Sequence, residues 1–216
     1  MKKNKTKLII GALLLLSVGL FGNTIYIHSK AILAQYLIAN AWQQTKDDNQ
    51  HSQTLKKPSK PWGWADTYPV AKLIVPKENL HYYVLAGATG SPLAFAPGLY
   101  AGTALPGIAP NTDDTPDTVI AGHHNTHFAF LQRIKIGDII QLENHLDKTV
   151  SYRVSDIKTP DIRRQQLPAH FGGNSLTLVT CSPGFAGEIH PNRRLVVVAE
   201  KINSGRMNRH YANIAR

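Results

Sequence analysis

A cysteine that does chemistry must be held still yet reachable, must have a base to take its proton, and must have a donor for the charge that develops on the group it attacks. The only cysteine in the chain, Cys181, ends the run 176–181 (LTLVTC), with Gly172, Gly173 and Asn174 before it and Ser182, Pro183 and Gly184 after it. Leucine, threonine and valine bounded by turn residues predict a strand. Cys181 therefore stands where a strand gives way to a loop, rigid but open to a substrate. The structural alternative is the commoner fate of a free cysteine, a small inert hydrophobe in the core. A single cysteine excludes an intramolecular disulfide.

A free thiol with a pKa of about 8.5 is only slightly ionised at neutral pH, and an adjacent imidazole is the usual activator. Three of the ten histidines, His123, His124 and His127, fall together in VIAGHHNTHFAFL. His123 and His127 are four apart, a spacing that would place both on one face of a helix as metal ligands. No carboxylate lies between them, Gly122 marks a turn, and one cysteine cannot complete a Cys-rich set, so zinc is disfavoured and no metal or cofactor is expected. For His124 and His127 a polar loop role is the simpler reading. The charge donor would be an arginine, which stabilises an oxyanion without deprotonating. Arg193 and Arg194 both precede the apolar run 195–199. Their side chains should point to opposite faces of a strand, and periodicity does not choose between them.

The elements that must position these groups follow from the chain in order. Four lysines in residues 1–7 form a basic tail ahead of twenty uncharged residues, 8–27, long enough as a helix to cross a bilayer core of about 30 Å. Only Lys30 follows closely, so the positive-inside rule puts the N-terminus in the cytoplasm and the rest outside. The apolar stretch exceeds the 7 to 15 residues or so of a cleaved signal peptide, which favours a retained anchor over 8–28. Ile32, Leu33, Tyr36, Leu37 and Trp42 recur at helical spacing and predict an amphipathic juxtamembrane helix over 29–47. Residues 48–61, rich in amides, lysine and proline, read as a linker.

From Trp62 to residue 202 short apolar runs alternate with glycine and proline. Strands are predicted at 70–75, 80–85, 118–121, 138–142, 149–157, 176–181 and 194–201, with one helical turn at 127–132 and loops over AFAPGLYAGTALPG and NTDDTPD. Short strands with close turns and little helix predict a mainly β domain, an antiparallel barrel or sandwich. The tail 203–216 is basic and without pattern. The formal charge of +10 is concentrated at the two ends, leaving 16 basic and 14 acidic residues between Leu8 and Glu200, so nucleic-acid binding is excluded as the main function.

The combination of VIAGHH, TLVTC and RLVVVA resembles the sortases, membrane-anchored cysteine transpeptidases. The likeness extends through KPWGWADTYPVAKLIVP, LAFAPGLY and HFAFLQRIKIGDII over about residues 30–200, and is similar to the proteobacterial (marine-type) subgroup. The resemblance implies an eight-stranded sortase-type β-barrel with short helices. It implies Cys181 as nucleophile, His123 as acid and base, and Arg194 rather than Arg193 as the arginine, with Thr180 helping to arrange the substrate. The subgroup's GHRDT is replaced here by His124 and Asn125. The amide of Asn125 can still hydrogen-bond an imidazole but cannot balance its charge, which makes it a supporting candidate. Ser182, Pro183, Gly184 and Phe185 stand where an aromatic and a proline usually begin the next loop, which bears on substrate preference.

The activity so implied is cleavage of an LPxTG-like C-terminal sorting signal on exported proteins, through a thioester, with transfer to an amine acceptor. The partners are those substrates, the amine and the membrane, with the catalytic domain on the extracytoplasmic, periplasmic side of a single-pass protein. A membrane-anchored cysteine peptidase using water, and a non-catalytic binding module, are the alternatives.

Overall fold

In the computed structural model the described residues are 2–50, 57–105, 116–164, 174–183 and 189–202. Eight strands close into a barrel: β1 (Pro69–Val75), β2 (Leu80–Ala86), β3 (Gly98–Leu99), β4 (Thr118–Ala121), β5 (Ile139–Asn144), β6 (Thr149–Lys158), β7 (Ser175–Pro183) and β8 (Ile189–Lys201). Their order around the barrel is β1-β2-β3-β4-β7-β8-β6-β5. Full closure removes exposed edges. Most pairs are antiparallel, but β2–β3 and β4–β7 are parallel, so the barrel is mixed rather than purely antiparallel. The β4–β7 pair matters most here, because it makes the His123 and Cys181 ends of two strands finish side by side.

The seven predicted strands are present, each within a few residues of its expected limits. The eighth, β3, lies inside a stretch expected to be loop, and two residues carry no periodicity to detect. Inside the barrel, alternate residues of the strands interdigitate: Leu73, Ile120, Ile140, Leu142, Tyr152, Leu176 and Leu178 are all fully buried, together with Phe128. Burial of the Tyr152 phenol, with the Asp117 carboxylate adding to it, raises its pKa far above the ordinary tyrosine value.

The two predicted N-terminal helices are one. Helix α1 runs unbroken over Lys2–Gln50, because nothing between Gly22 and Pro58 is a glycine or proline to interrupt it. The chain divides into two compact units, Met1–Leu37 and Ile38–Arg216. The first is a helix apolar and long enough to cross a membrane, with Leu13 to Leu16, Val18, Leu20 and Phe21 all exposed. The second unit begins well before Trp62. Ile38, Ala41, Trp42 and Thr45, at spacing i, i+3, i+4 and i+7, are buried. Ile38 packs with Leu85, Ala96, Trp62 and Phe95. Lys46 pairs with Glu143 (3.1 Å) and Asp147 on the β5–β6 hairpin. The buried stripe therefore differs from the expected one, and Ile32, Leu33 and Tyr36 stay exposed. Within the expected linker, the Ser59 amide donates to Thr45 Oγ1 (2.9 Å) and Pro61 is buried, so this part packs on the domain.

Candidate active site

Cys181 is half-buried near the end of β7, and its cross-strand partner on β8 is Arg194. Directly opposed residues of an antiparallel pair project from the same face. The face can be assigned from the rungs below. Leu176, Leu178, Val197 and Ala199 fill the barrel, whereas Val179, Val196, Val198 and Val119 form a separate cluster on the outer side. Counting by two along each strand puts Cys181 and Arg194 on the outer side, above this valine floor.

His123 comes to the same end of the sheet through β4. Ala121 is registered with Val179, and the ladder extends one residue further because the Gly122 amide donates to the Val179 carbonyl (3.1 Å). Position 123 is thereby brought level with position 181. The Gly122 carbonyl is fixed as well, accepting from Thr180 Oγ1 (2.7 Å). Both backbone groups of the residue before His123 are thus held by the two residues before Cys181. Thr180 is only 3% exposed and faces inward, so its hydroxyl reaches the site through Gly122 rather than by touching a ligand.

Packing requires a glycine at position 122. A Cβ on Gly122 would lie 2.8 Å from the Phe128 ring, which is fully buried beneath it. The Phe128 amide donates back to the His123 carbonyl (3.0 Å), closing the loop 123–128 on itself. His123 is exposed at the mouth of this loop. Asn125 is exposed two residues on, and among the described residues no hydrogen bond joins it to the imidazole.

The other two histidines of the motif separate in role. His124 is half-buried, and its carbonyl accepts from Gln132 Nε2 at 3.5 Å. His127 stands edge-on to Tyr82, with ring centroids 5.6 Å apart. Burial lowers the His127 pKa, the nearby His123 adds to that, and a bond to the Phe95 backbone partly offsets it. Among the described residues no group of three or more His, Cys, Asp or Glu is placed to hold a metal.

Arg194 is anchored by its own hairpin. Nη1 donates to the carbonyls of Pro191 and Arg193 (3.1 Å each), and its backbone amide bonds the Pro160 carbonyl (3.1 Å). That leaves Nε and Nη2 as donors. Arg193, one residue earlier, is exposed, and its backbone forms an isolated antiparallel β-bridge with Asp161, whose carboxylate pairs with Arg163. A thiol on β7, a guanidinium on β8 and an imidazole two residues beyond β4 are the group types that can attack and stabilise an acyl centre.

A family model described as Sortase domain matches residues 73–202. Among solved structures, sortase C1 from Streptococcus suis is 27% identical with a TM-score of 0.52, covering 62% of this chain and 73% of that one. Sortase A from Corynebacterium diphtheriae (23% identity, TM-score 0.53, 79% and 84% coverage) and a Clostridium perfringens sortase D5 transpeptidase (21%, 0.58, 78% and 99%) are similar in fold. No curated protein sequence matches significantly.

Proposed function

The chain belongs to the sortase family of cysteine transpeptidases, and from that premise we propose that Cys181, His123 and Arg194 cleave a C-terminal LPxTG-like sorting signal and pass its acyl part to an amine. The observation that carries this reading is the register. Arg194 lies directly across from Cys181, and His123 follows two residues after the end of β4, the strand paired with β7 on its other side. The Cys181 thiolate attacks the scissile carbonyl carbon, and the negative charge passes to its oxygen, which accepts from Arg194. The C–N bond breaks as the imidazolium of His123 gives its proton to the leaving amine, leaving a thioester. The acceptor amine then attacks that thioester while His123 takes its proton. The C–S bond breaks and the thiolate returns.

The apolar part of α1 suits this chemistry. A single-pass anchor with four lysines on the cytoplasmic side leaves the barrel outside, beside substrates held at the same surface, and raises their effective concentration. The test is product analysis with full-length protein, an LPxTG-type peptide and excess amine. Ligated product and a trapped thioester on Cys181 are expected. Hydrolysis alone, unaffected by amine, would mean a cysteine peptidase instead.

Thr180 acts here as a positioning residue. Thr180→Val keeps its shape but frees the Gly122 carbonyl, and the histidine loop loses one of its two ties to β7. Stability should fall by about 1 kcal/mol, the usual net value of one hydrogen bond. Turnover should fall about tenfold with KM little changed, since a misplaced acid and base weakens the transition state more than substrate binding. Steady-state kinetics with Thr180→Ser as the rescue variant checks this, and a tenfold rise in KM at unchanged kcat would mean that Thr180 serves binding.

A further inference from the structure

The motif VIAGHHNTHFAFL holds a histidine that the reaction above leaves unused. His127 is half-buried at the far end of the loop that begins at His123. The near end of that loop is tied to β7 through both backbone groups of Gly122. The far end is tied elsewhere. Around the barrel β7 pairs with β4, β4 with β3 and β3 with β2, and His127 makes its contacts on the β2 side.

Two contacts hold its ring there. The Tyr82 ring on β2 stands at 88° to it, with centroids 5.6 Å apart. The imidazole also bonds the backbone of Phe95, the last residue of a short helix α2 (Ser91–Phe95). That bond favours the protonated ring, so the imidazole N–H donates and the Phe95 carbonyl accepts. Both anchors are themselves fixed. Tyr82 packs against the barrel core. Phe95 stands edge-on to Trp62 (5.2 Å) in the cluster with Ile38, Leu85 and Ala96, and the Ala96 amide donates to the Pro92 carbonyl (3.1 Å).

The charges around this ring suit a neighbour of an acid. In the proposed reaction His123 carries a proton to the leaving amine, and a second cation beside it would repel that proton. Burial and the field of His123 both oppose protonation of His127, and among the described residues no carboxylate is placed to reverse this. On the β2 side burial keeps the Tyr82 phenol neutral, and Arg133, whose field reaches Tyr82, is paired with Glu78 (2.6 Å). Helix α2 carries no charged residue.

We propose that His127 is a positioning residue for His123, its ring held between Tyr82 and the Phe95 carbonyl so that the loop 123–128 is fixed at both ends. The inference rests on the transpeptidase reading, in which His123 is the acid and base. A ring that only filled space would be replaced by another ring without loss. A ring that holds the loop through its N–H would not.

The experiment uses full-length protein in detergent micelles with an LPxTG-type peptide and excess amine. His127→Phe keeps a ring against Tyr82 but removes the donor to Phe95. Its kcat should fall about tenfold with KM unchanged, while the melting temperature moves by no more than a few degrees. His127→Gln supplies an amide N–H in place of the ring and should recover about half the wild-type rate. The limbs of the kcat/KM pH profile should stay in place in both variants, since the ring removed is uncharged in the working range. Wild-type kcat in His127→Phe would overturn the proposal, and so would an equal loss in the Phe and Gln variants, which would assign the effect to packing. A limb displaced by about one pH unit would overturn it in favour of a second titrating group. If no peptide yields a thioester or product, the transpeptidase reading itself fails. Imidazole NMR of the histidine-labelled protein then judges the tie separately: the His123 Cε1–H signal should shift in His127→Phe and return in His127→Gln, and an unmoved signal would overturn it.

Discussion

Cys181→Ala is expected to form no thioester and to transfer nothing measurable, a loss of at least about 10⁴-fold, with the fold intact. The size of the effect follows from the site's construction. His123 and Arg194 do not attack a carbonyl themselves, and the chain has no second thiol to stand in. The small effect on stability follows from the environment: Cys181 is half-buried above the valine floor, and removing one sulfur there leaves Leu176, Leu178 and Val197 packed inside as before. Melting temperature should change by no more than a few degrees. His123→Ala should cost nearly as much, and the double variant hardly more, because in the proposed mechanism thiol and imidazole act as one unit. Intact-mass detection of the acyl adduct, beside a thermal melt, checks all three variants. A Cys181→Ala protein that still ligates peptide would remove the nucleophile from the mechanism altogether.

How much of this was legible beforehand depended on whether a feature leaves a periodic trace. Strand β7 was visible because LTLVTC has strand residues between turn residues, and a position for Cys181 near its end followed directly, although the strand runs two residues further, to Pro183. The pairing of Cys181 with Arg194 rather than Arg193 was not visible from periodicity, since alternation says only that the two arginines diverge. Register depends on the whole β7–β8 ladder. The role of Gly122 was hidden for a similar reason. A turn was predicted there, but the need for a missing Cβ comes from Phe128, six residues later, whose ring lies under the backbone. The continuity of α1 was missed because composition changes at Ser29, from apolar to amphipathic, while helix propensity does not break there.

Arg194→Ala should reduce kcat/KM by about 10² to 10³-fold, the range found when a single oxyanion donor is removed. Two observations set the expectation. The residue shares a rung with Cys181, and Nη1 is occupied by the Pro191 and Arg193 carbonyls, which fixes the guanidinium plane and leaves Nε and Nη2 to donate. A donor fixed in advance costs no reorganisation when charge develops on the substrate oxygen, which is where its value lies. If that charge is met only in the transition state, kcat and kcat/KM fall together, whereas a role in holding the substrate backbone raises KM. Arg194→Lys separates geometry from charge. Lysine keeps the cation but lacks the fork that bonds two carbonyls and a third acceptor at once, so it should recover no more than about a tenth of wild-type activity. Kinetics on an uncharged peptide at high salt reads this without interference from the neighbouring arginines. Wild-type rates for Arg194→Lys would reduce the requirement to a positive charge, and wild-type rates for Arg194→Ala would exclude Arg194 as the donor to the oxyanion.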